Sequence, residues 1–288
     1  MPLRTVRPLL FGGAISLLGA GVAMSPLGAD LEERFGLDGL FQLRGERQPP
    51  ADVAVVAIGE DTAKALGTPR QLDRWSRGYH ARLVEQLTAL GAEVIAFDVL
   101  FAEKRGNVGD DALARAMRQA GDVAIIHMLT SERRPLEAGD RRGSGLSIER
   151  RIDPLEKFSA AAVATSSFVL PKVPARVRRY WTFRSGSPPT LPVAALHIYG
   201  LRYYDGWRRL WQRVDSEFAA SLPPDIDSLE NRKRVLAVSE ALRARLRREP
   251  ERVRRALEVV KGAEMPARAK RILTALVRAH AGEPHRIL

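Results

Sequence analysis

The sequence predicts an α/β fold: a mostly parallel sheet with flanking helices, one N-terminal transmembrane helix and a C-terminal helical extension. Three observations carry this. Pro8 to Ala29 holds no charge, while Arg4 and Arg7 precede it and Asp30, Glu32 and Glu33 follow. Residues 51 to 128 alternate short β-branched apolar runs with amphipathic stretches, joined by short turns. Such a strand–helix–strand–helix–strand order reads as parallel strands with right-handed crossovers. Beyond residue 202 the periodicity is helical, and Pro223-Pro224, Pro250 and Pro266 punctuate it.

The first segment meets the roughly 20 apolar residues that a span requires. Its basic flank is N-terminal, so the positive-inside rule keeps residues 1–7 in the cytoplasm and exports the chain from residue 30 onward. A cleaved signal peptide, with Leu9–Leu18 as its apolar stretch, would export the same residues. The expected arrangement is therefore a signal anchor over 1–29, an extracytoplasmic domain over 30–201 and a basic helical extension or insertion over 202–288. The implied location is the inner (cell) membrane, single-pass, with the domain facing the periplasm or outside.

Ala51–Ile58 is expected to be the first strand. Asp61 is placed to cap a short helix, Thr62 to Leu66, which Gly67 closes. Gly78–Leu90 carries Leu83, Val84, Leu87 and Leu90 at helical spacing, with Gly91 as its stop. Val94–Phe97 is the second strand. Asp110–Ala120 is an amphipathic helix ended by Gly121, and Val123–Met128 is the third strand. These runs are nearly continuously apolar, as when helices cover both faces of a sheet. Lys104–Gly109 and Ser131–Gly145 read as loops, Ser167–Leu170 and Val177–Phe183 as further strands, and Leu191–Leu201 as a helix with Pro192 in its first turn. Helices are then expected over Trp207–Ala220, Leu229–Arg248, Glu251–Lys261 and Ala267–Ala281.

Ligands bind open α/β sheets at the C-terminal ends of parallel strands. Glu60, Asp61, Asp98 and Glu103 fall at such ends, and Arg70 and Arg105 lie on the adjoining loops. These six are the candidate ligand-binding residues. Helix capping and turn formation account equally well for the acids.

Composition narrows the chemistry. The chain has no cysteine, which removes disulfides, thiolate zinc sites and thiol catalysis. No P-loop, glycine-rich dinucleotide fingerprint or serine nucleophile elbow occurs. The five histidines show no ligand spacing. No catalytic residue, metal ligand or cofactor is therefore assigned. The net charge of +12 lies in the second half: residues 1–139 are net −2, 140–201 net +6 and 202–288 net +8. After Trp211 the extension has one aromatic residue, Phe218, so the stacking platforms of single-strand binding are missing and no nucleic-acid partner is expected. A solvated, arginine-rich helical face is the first account of the charge; of the partners, anionic lipid head groups fit it better than nucleic acid.

Several stretches taken together resemble a known family. They are Val56-Ala57-Ile58-x-Glu60-Asp61, Tyr79 to Leu83, Gly91-Ala92-x-Val94 to Phe101, Asp110-x-Ala112-Leu113, Arg176–Trp181 and Pro189-Thr190-Leu191-Pro192-x-Ala194. Their order resembles the type-two CHASE domain, the extracellular sensor associated with cyclases and histidine kinases, over about residues 30–201. The resemblance implies a bacterial membrane receptor whose output is an adenylate or guanylate cyclase or a protein kinase. It supplies neither a ligand nor a catalytic residue. Gly59 stands where the family usually has Asp, which takes one acid from the strand edge. No second apolar span and no output domain precede Leu288, so relative to the family the chain reads as truncated.

The leading expectation is thus a sensory input domain and not an enzyme. Its partners would be the membrane and a small-molecule or envelope ligand of unknown identity, and a homodimer is allowed. An envelope hydrolase using the carboxylate edge, with or without a metal, and a basic envelope interaction module are the alternatives.

Overall fold

The computed structural model describes residues 12–13, 15–22, 24–25, 28, 36–71, 74–135, 145–170, 180–183, 188–226 and 234–282. The chain falls into two compact units, Met1–Ile58 and Gly59–Leu288.

In the first unit, residues 12–13 and 15–22 are helical, and Ile15, Leu17 and Leu18 are exposed. Among the described residues no helix is long and apolar enough to cross a membrane. Much of the expected span, including residues 8–11, 14, 23, 26–27 and 29, lies outside them. Helix α1 (Leu37–Arg44) comes next, ended by Gly45.

Ala51–Ile58 corrects an expectation: it is not a strand. Residues 51–52 form a turn and 53–58 are irregular. Val53, Val55 and Val56 are all exposed, Val55 at 89%. Strand propensity measures fit to a ladder and a buried face, and this run has neither. Glu60 and Asp61 therefore do not terminate a strand.

In the second unit the alternation holds. Helix α2 is Glu60–Leu66, α3 Arg77–Ala89, β1 Ile95–Leu100, α4 Asn107–Ala120 and β2 Val123–Pro135. Helix α2 is capped by Gly59, whose N–H donates to Thr62 Oγ1 at 3.3 Å, and not by Asp61. The glycine stops at 67, 91 and 121 all have positive φ (61°, 85° and 78°). Strand β3 (Gly145–Ile152), helix α5 (Glu156–Ala161) and strand β4 (Ala164–Ser167) complete the sheet. Strands β1 and β4 flank β2, both parallel to it. The outer half of β2 turns back on β3 as an antiparallel ribbon, Met128 opposite Ile152 through Pro135 opposite Gly145. Part of the expected Ser131–Gly145 loop is thus strand, and residues 136–144 lie outside the described set. The strand expected at Ser167–Leu170 ends at Ser167. Of the one expected at Val177–Phe183, residues 177–179 lie outside the described set, and Phe183 forms an isolated bridge to Pro189.

Strand β2 shows why its run is apolar on both sides. Val123 and Ile125 join the core beneath α3, α4 and α5, with Val84, Leu113, Met117 and Phe158. Ala124 faces the opposite way, toward helix α6 (Leu191–Gly200), with Leu191, Ala194 and Ile198. Helices α7 (Tyr204–Val214), α8 (Ser216–Ser221), α9 (Arg234–Arg248), α10 (Pro250–Gly262) and α11 (Ala267–Ala281) build a third core around Trp207, Trp211, Leu242, Leu246 and Leu273. Helix α6 packs against both the sheet and α11. The line drawn at 201/202 lies inside this second unit.

Asp215 ties the helical layer together. Its Oδ1 accepts the Phe218 N–H at 3.0 Å, and its Oδ2 meets Arg245 of α9 at 2.8 Å and Arg252 of α10 at 2.7 Å. Burial alone would raise its pKa, but these donors hold the carboxyl below its ordinary value.

Candidate functional site

The six residues expected to share an edge divide into three groups. Glu60 pairs with Arg70 at 3.7 Å and Asp61 with Lys64 at 3.8 Å, on exposed side chains. Pairs of this kind contribute little. Asp98 sits within β1, where the ladder is irregular: Ala96 is opposite Ala124 and Leu100 opposite Ile126, so β1 advances four residues against two. Bulges of this kind redirect side chains. Asp98 is exposed, yet partial burial raises its pKa. Glu103 and Arg105 pair at 3.8 Å on the loop after β1, with Arg105 largely buried. Among the described residues Glu60, Asp61 and Glu103 each pair with a cation nearby in sequence, Arg70, Lys64 and Arg105.

The ordered chemistry lies one step beyond β1. Phe101 comes directly after the strand, and its carbonyl accepts the Leu155 N–H at 2.8 Å, which fixes the strand end to the start of α5. Its ring packs against Phe97 (5.4 Å between centroids), Phe158 (5.6 Å) and His80 (5.6 Å). The guanidinium of Arg77, at the first position of α3, stacks 4.5 Å above the same ring. Arg77 is 1% exposed. Burial and, after it, Arg105 pull its pKa down to about 10, against Asp110 and Glu103. At neutral pH it keeps its charge.

His80, one turn along α3, is also buried. Burial and the Arg77 charge lower its pKa to about 4, against a weaker pull from the Ser76 carbonyl. It is neutral at pH 7. Asp110, in the first turn of α4, is 1% exposed, and its Oδ2 accepts the Arg105 N–H at 3.1 Å.

Two helix N-termini converge here. Ser76 caps α3, its Oγ accepting the Gly78 N–H at 3.2 Å. Gly106 starts α4 at φ 111°, a conformation that other residues rarely adopt. A side chain at Gly109 would place its Cβ 3.1 Å from Ser76 Oγ and 3.4 Å from the Arg77 nitrogen. Glycine there lets the two first turns touch, and each brings roughly half a positive charge. The buried part of this edge thus adds the partial positive charge of two helix N-termini to the opposed charges of Arg77 and Asp110.

Glu103 and Arg105 belong to this site. No sequence pattern marks Ser76, Arg77, His80 or Asp110 as site residues. The Ser-Arg-Gly start of α3 signals only a helix cap; that the arginine points inward depends on Phe101, which is set by the sheet. Among the described residues no group of three or more His, Asp or Glu is placed to hold a metal ion.

No curated protein and no solved structure matches the chain. The family model described as the CHASE2 domain matches residues 14–266, most of the sequence. The chain belongs to the CHASE2 family, whose members are extracellular sensory domains found in signalling proteins.

Proposed function

We propose that this CHASE2-family chain is the extracytoplasmic input domain of a membrane-bound bacterial signalling protein, acting by binding and not by catalysis. The family match over 14–266 is the observation that carries the reading. Pro8–Ala29 serves as a single-pass anchor, with Arg4 and Arg7 holding the N-terminus in the cytoplasm. The exposed Ile15, Leu17 and Leu18 on a helical stretch support that assignment. The output, a cyclase or a protein kinase, lies outside these 288 residues.

The loop Ala102–Gly106 is the part of the site suited to signalling. It joins β1 to α4 and carries both Glu103 and Arg105. A ligand that favours one arrangement of this loop shifts an equilibrium by its differential affinity, typically ~1–3 kcal/mol.

Fusing alkaline phosphatase after Leu288, in parallel with β-galactosidase, tests the orientation. The phosphatase folds only outside the cytoplasm, so high phosphatase and low galactosidase activity are expected. The reverse pattern would overturn the reading.

A further inference from the structure

Arg77 is a buried cation whose nearby acids, Asp110 and Glu103, do not touch it directly. Its Nε and Nη2 have no hydrogen-bond partner, and among the described residues no carboxylate approaches within ion-pair distance. Buried donors left without an acceptor are costly, so two such atoms on one guanidinium call for an explanation. Asp110, the buried carboxylate beside it, uses Oδ2 on the Arg105 N–H, and its Oδ1 is also unpartnered. The two acids and two arginines of the site balance formally: Arg77 and Arg105 against Asp110 and Glu103. The remainder is the pair of helix N-termini, together about one positive charge.

The unpartnered atoms are informative. Nε–H and Nη2–H form the side-on edge of the guanidinium, the fork that grips the two oxygens of a carboxylate in parallel. The Phe101 ring occupies the face of the group, and the edge atoms Nε and Nη2 are buried without a protein acceptor. The residual charge suits a monoanion, since a dianion would meet Asp110 without further compensation. The buried Phe101 and Phe97 rings make the surroundings apolar, which favours a carboxylate with a short hydrocarbon tail over a polar one. At 1% exposure Arg77 is reached only when part of its cover moves; the loop Ala102–Gly106, pinned to Asp110 by the Arg105 N–H, is the segment that this inference has move.

We infer that the fork of Arg77, between the N-termini of α3 and α4, binds a small monocarboxylate. This inference rests on the sensory reading, which requires a ligand, and it names the ligand's chemical class.

Acetate is the probe. The purified 288-residue chain in a non-ionic detergent is titrated with sodium acetate at constant ionic strength, balanced by sodium chloride. Thermal unfolding and the fluorescence of buried Trp75, two residues before Arg77, report binding. Saturable stabilisation by acetate is expected. Arg77→Lys, which keeps the charge and loses the fork, should weaken the apparent affinity about tenfold. Arg77→Met should abolish it. Should the Met variant fail to fold, Gly109→Ala, which crowds the space beside Ser76 Oγ, should weaken acetate binding in a folded chain. Phosphate or sulfate binding without acetate binding would overturn the monocarboxylate assignment, as would equal effects of all salts or unchanged affinity in Arg77→Lys. Absent acetate binding with an externally active phosphatase fusion removes this inference alone. A cytoplasmic fusion result removes the sensory reading instead.

Discussion

Asp98 and Arg77 show how far single residues can be read. Asp98 ends an apolar run, and acids in that position suggest a strand edge; the structure puts it in a bulge, exposed and with a raised pKa. A carboxyl whose folded pKa exceeds its unfolded value disfavours folding when ionised, and stability rises as pH falls through the folded pKa. Asp98→Asn should therefore leave the melting temperature unchanged or slightly higher at pH 7 and remove that acid-side gain. Phe97→Ala, beside it but 5% exposed, should lose about 3–5 kcal/mol in denaturant titration. A loss of that size in Asp98→Asn would make Asp98 a structural turn residue. Arg77 marks the opposite limit. Arginine normally reads as a solvated charge, and only the position of Phe101 reveals that this one is stacked and buried.

Whole elements are legible where glycine, proline and apolar spacing agree. Helix α11 has the bounds expected, Ala267–Ala281, and the glycine stops after α2, α3 and α4 hold. The β2–β3 ribbon is not legible. Ser131 and Glu132 on β2 are both exposed, and so are the consecutive Ile148, Glu149 and Arg150 on β3. Neighbours that are exposed in succession leave no buried side to impose alternation. Ala51–Ile58 fails in the opposite sense, an apolar run without a ladder. Asp215 is equally invisible, because its partners Arg245 and Arg252 are distant in sequence, on two later helices. Asp215→Ala should cost about 1–3 kcal/mol, since it removes the α8 cap and the carboxylate that joins Arg245 to Arg252, which keep Glu217 and Glu249 as partners. Equilibrium unfolding of the variant measures this, and a loss under about 1 kcal/mol would show that the three-helix junction is held by Trp211, Leu242 and Leu246 instead.

At the scale of the molecule, buried neutral histidines set the response to acid. His80 and His280 have pKa values lowered to about 4, chiefly by burial, and burial also lowers that of His127. His280 Nδ1–H donates to the Leu276 carbonyl at 2.6 Å, and Nε2 lies 2.7 Å from Ser239 Oγ, which donates to it. Proton uptake would reverse the second bond, with Nε2–H donating to Ser239 Oγ, and place charge in a buried site near Arg243. Groups with depressed basic pKa values bind fewer protons when folded. Their contribution is full above pH ~6.5 and is lost as pH falls toward 4. Melting temperature should be flat from about pH 8 to 7 and fall by about 5–10 °C by about pH 4.5. His280→Gln should flatten that decline, and an unchanged slope would place the acid sensitivity elsewhere.

The sensory role depends on orientation across the membrane, and the absence of cysteine makes that orientation measurable in the chain itself. Single cysteines at Leu90 and Val108, both more than 80% exposed in the second unit, and at Thr5 ahead of the apolar segment give three reporters. Spheroplasts are treated with a membrane-impermeant maleimide before and after lysis. An outward-facing domain predicts that Leu90→Cys and Val108→Cys label on intact spheroplasts, and that Thr5→Cys labels only after lysis. Labelling of Leu90→Cys and Val108→Cys only after lysis would place the Arg77 site in the cytoplasm and contradict a sensor that faces outward.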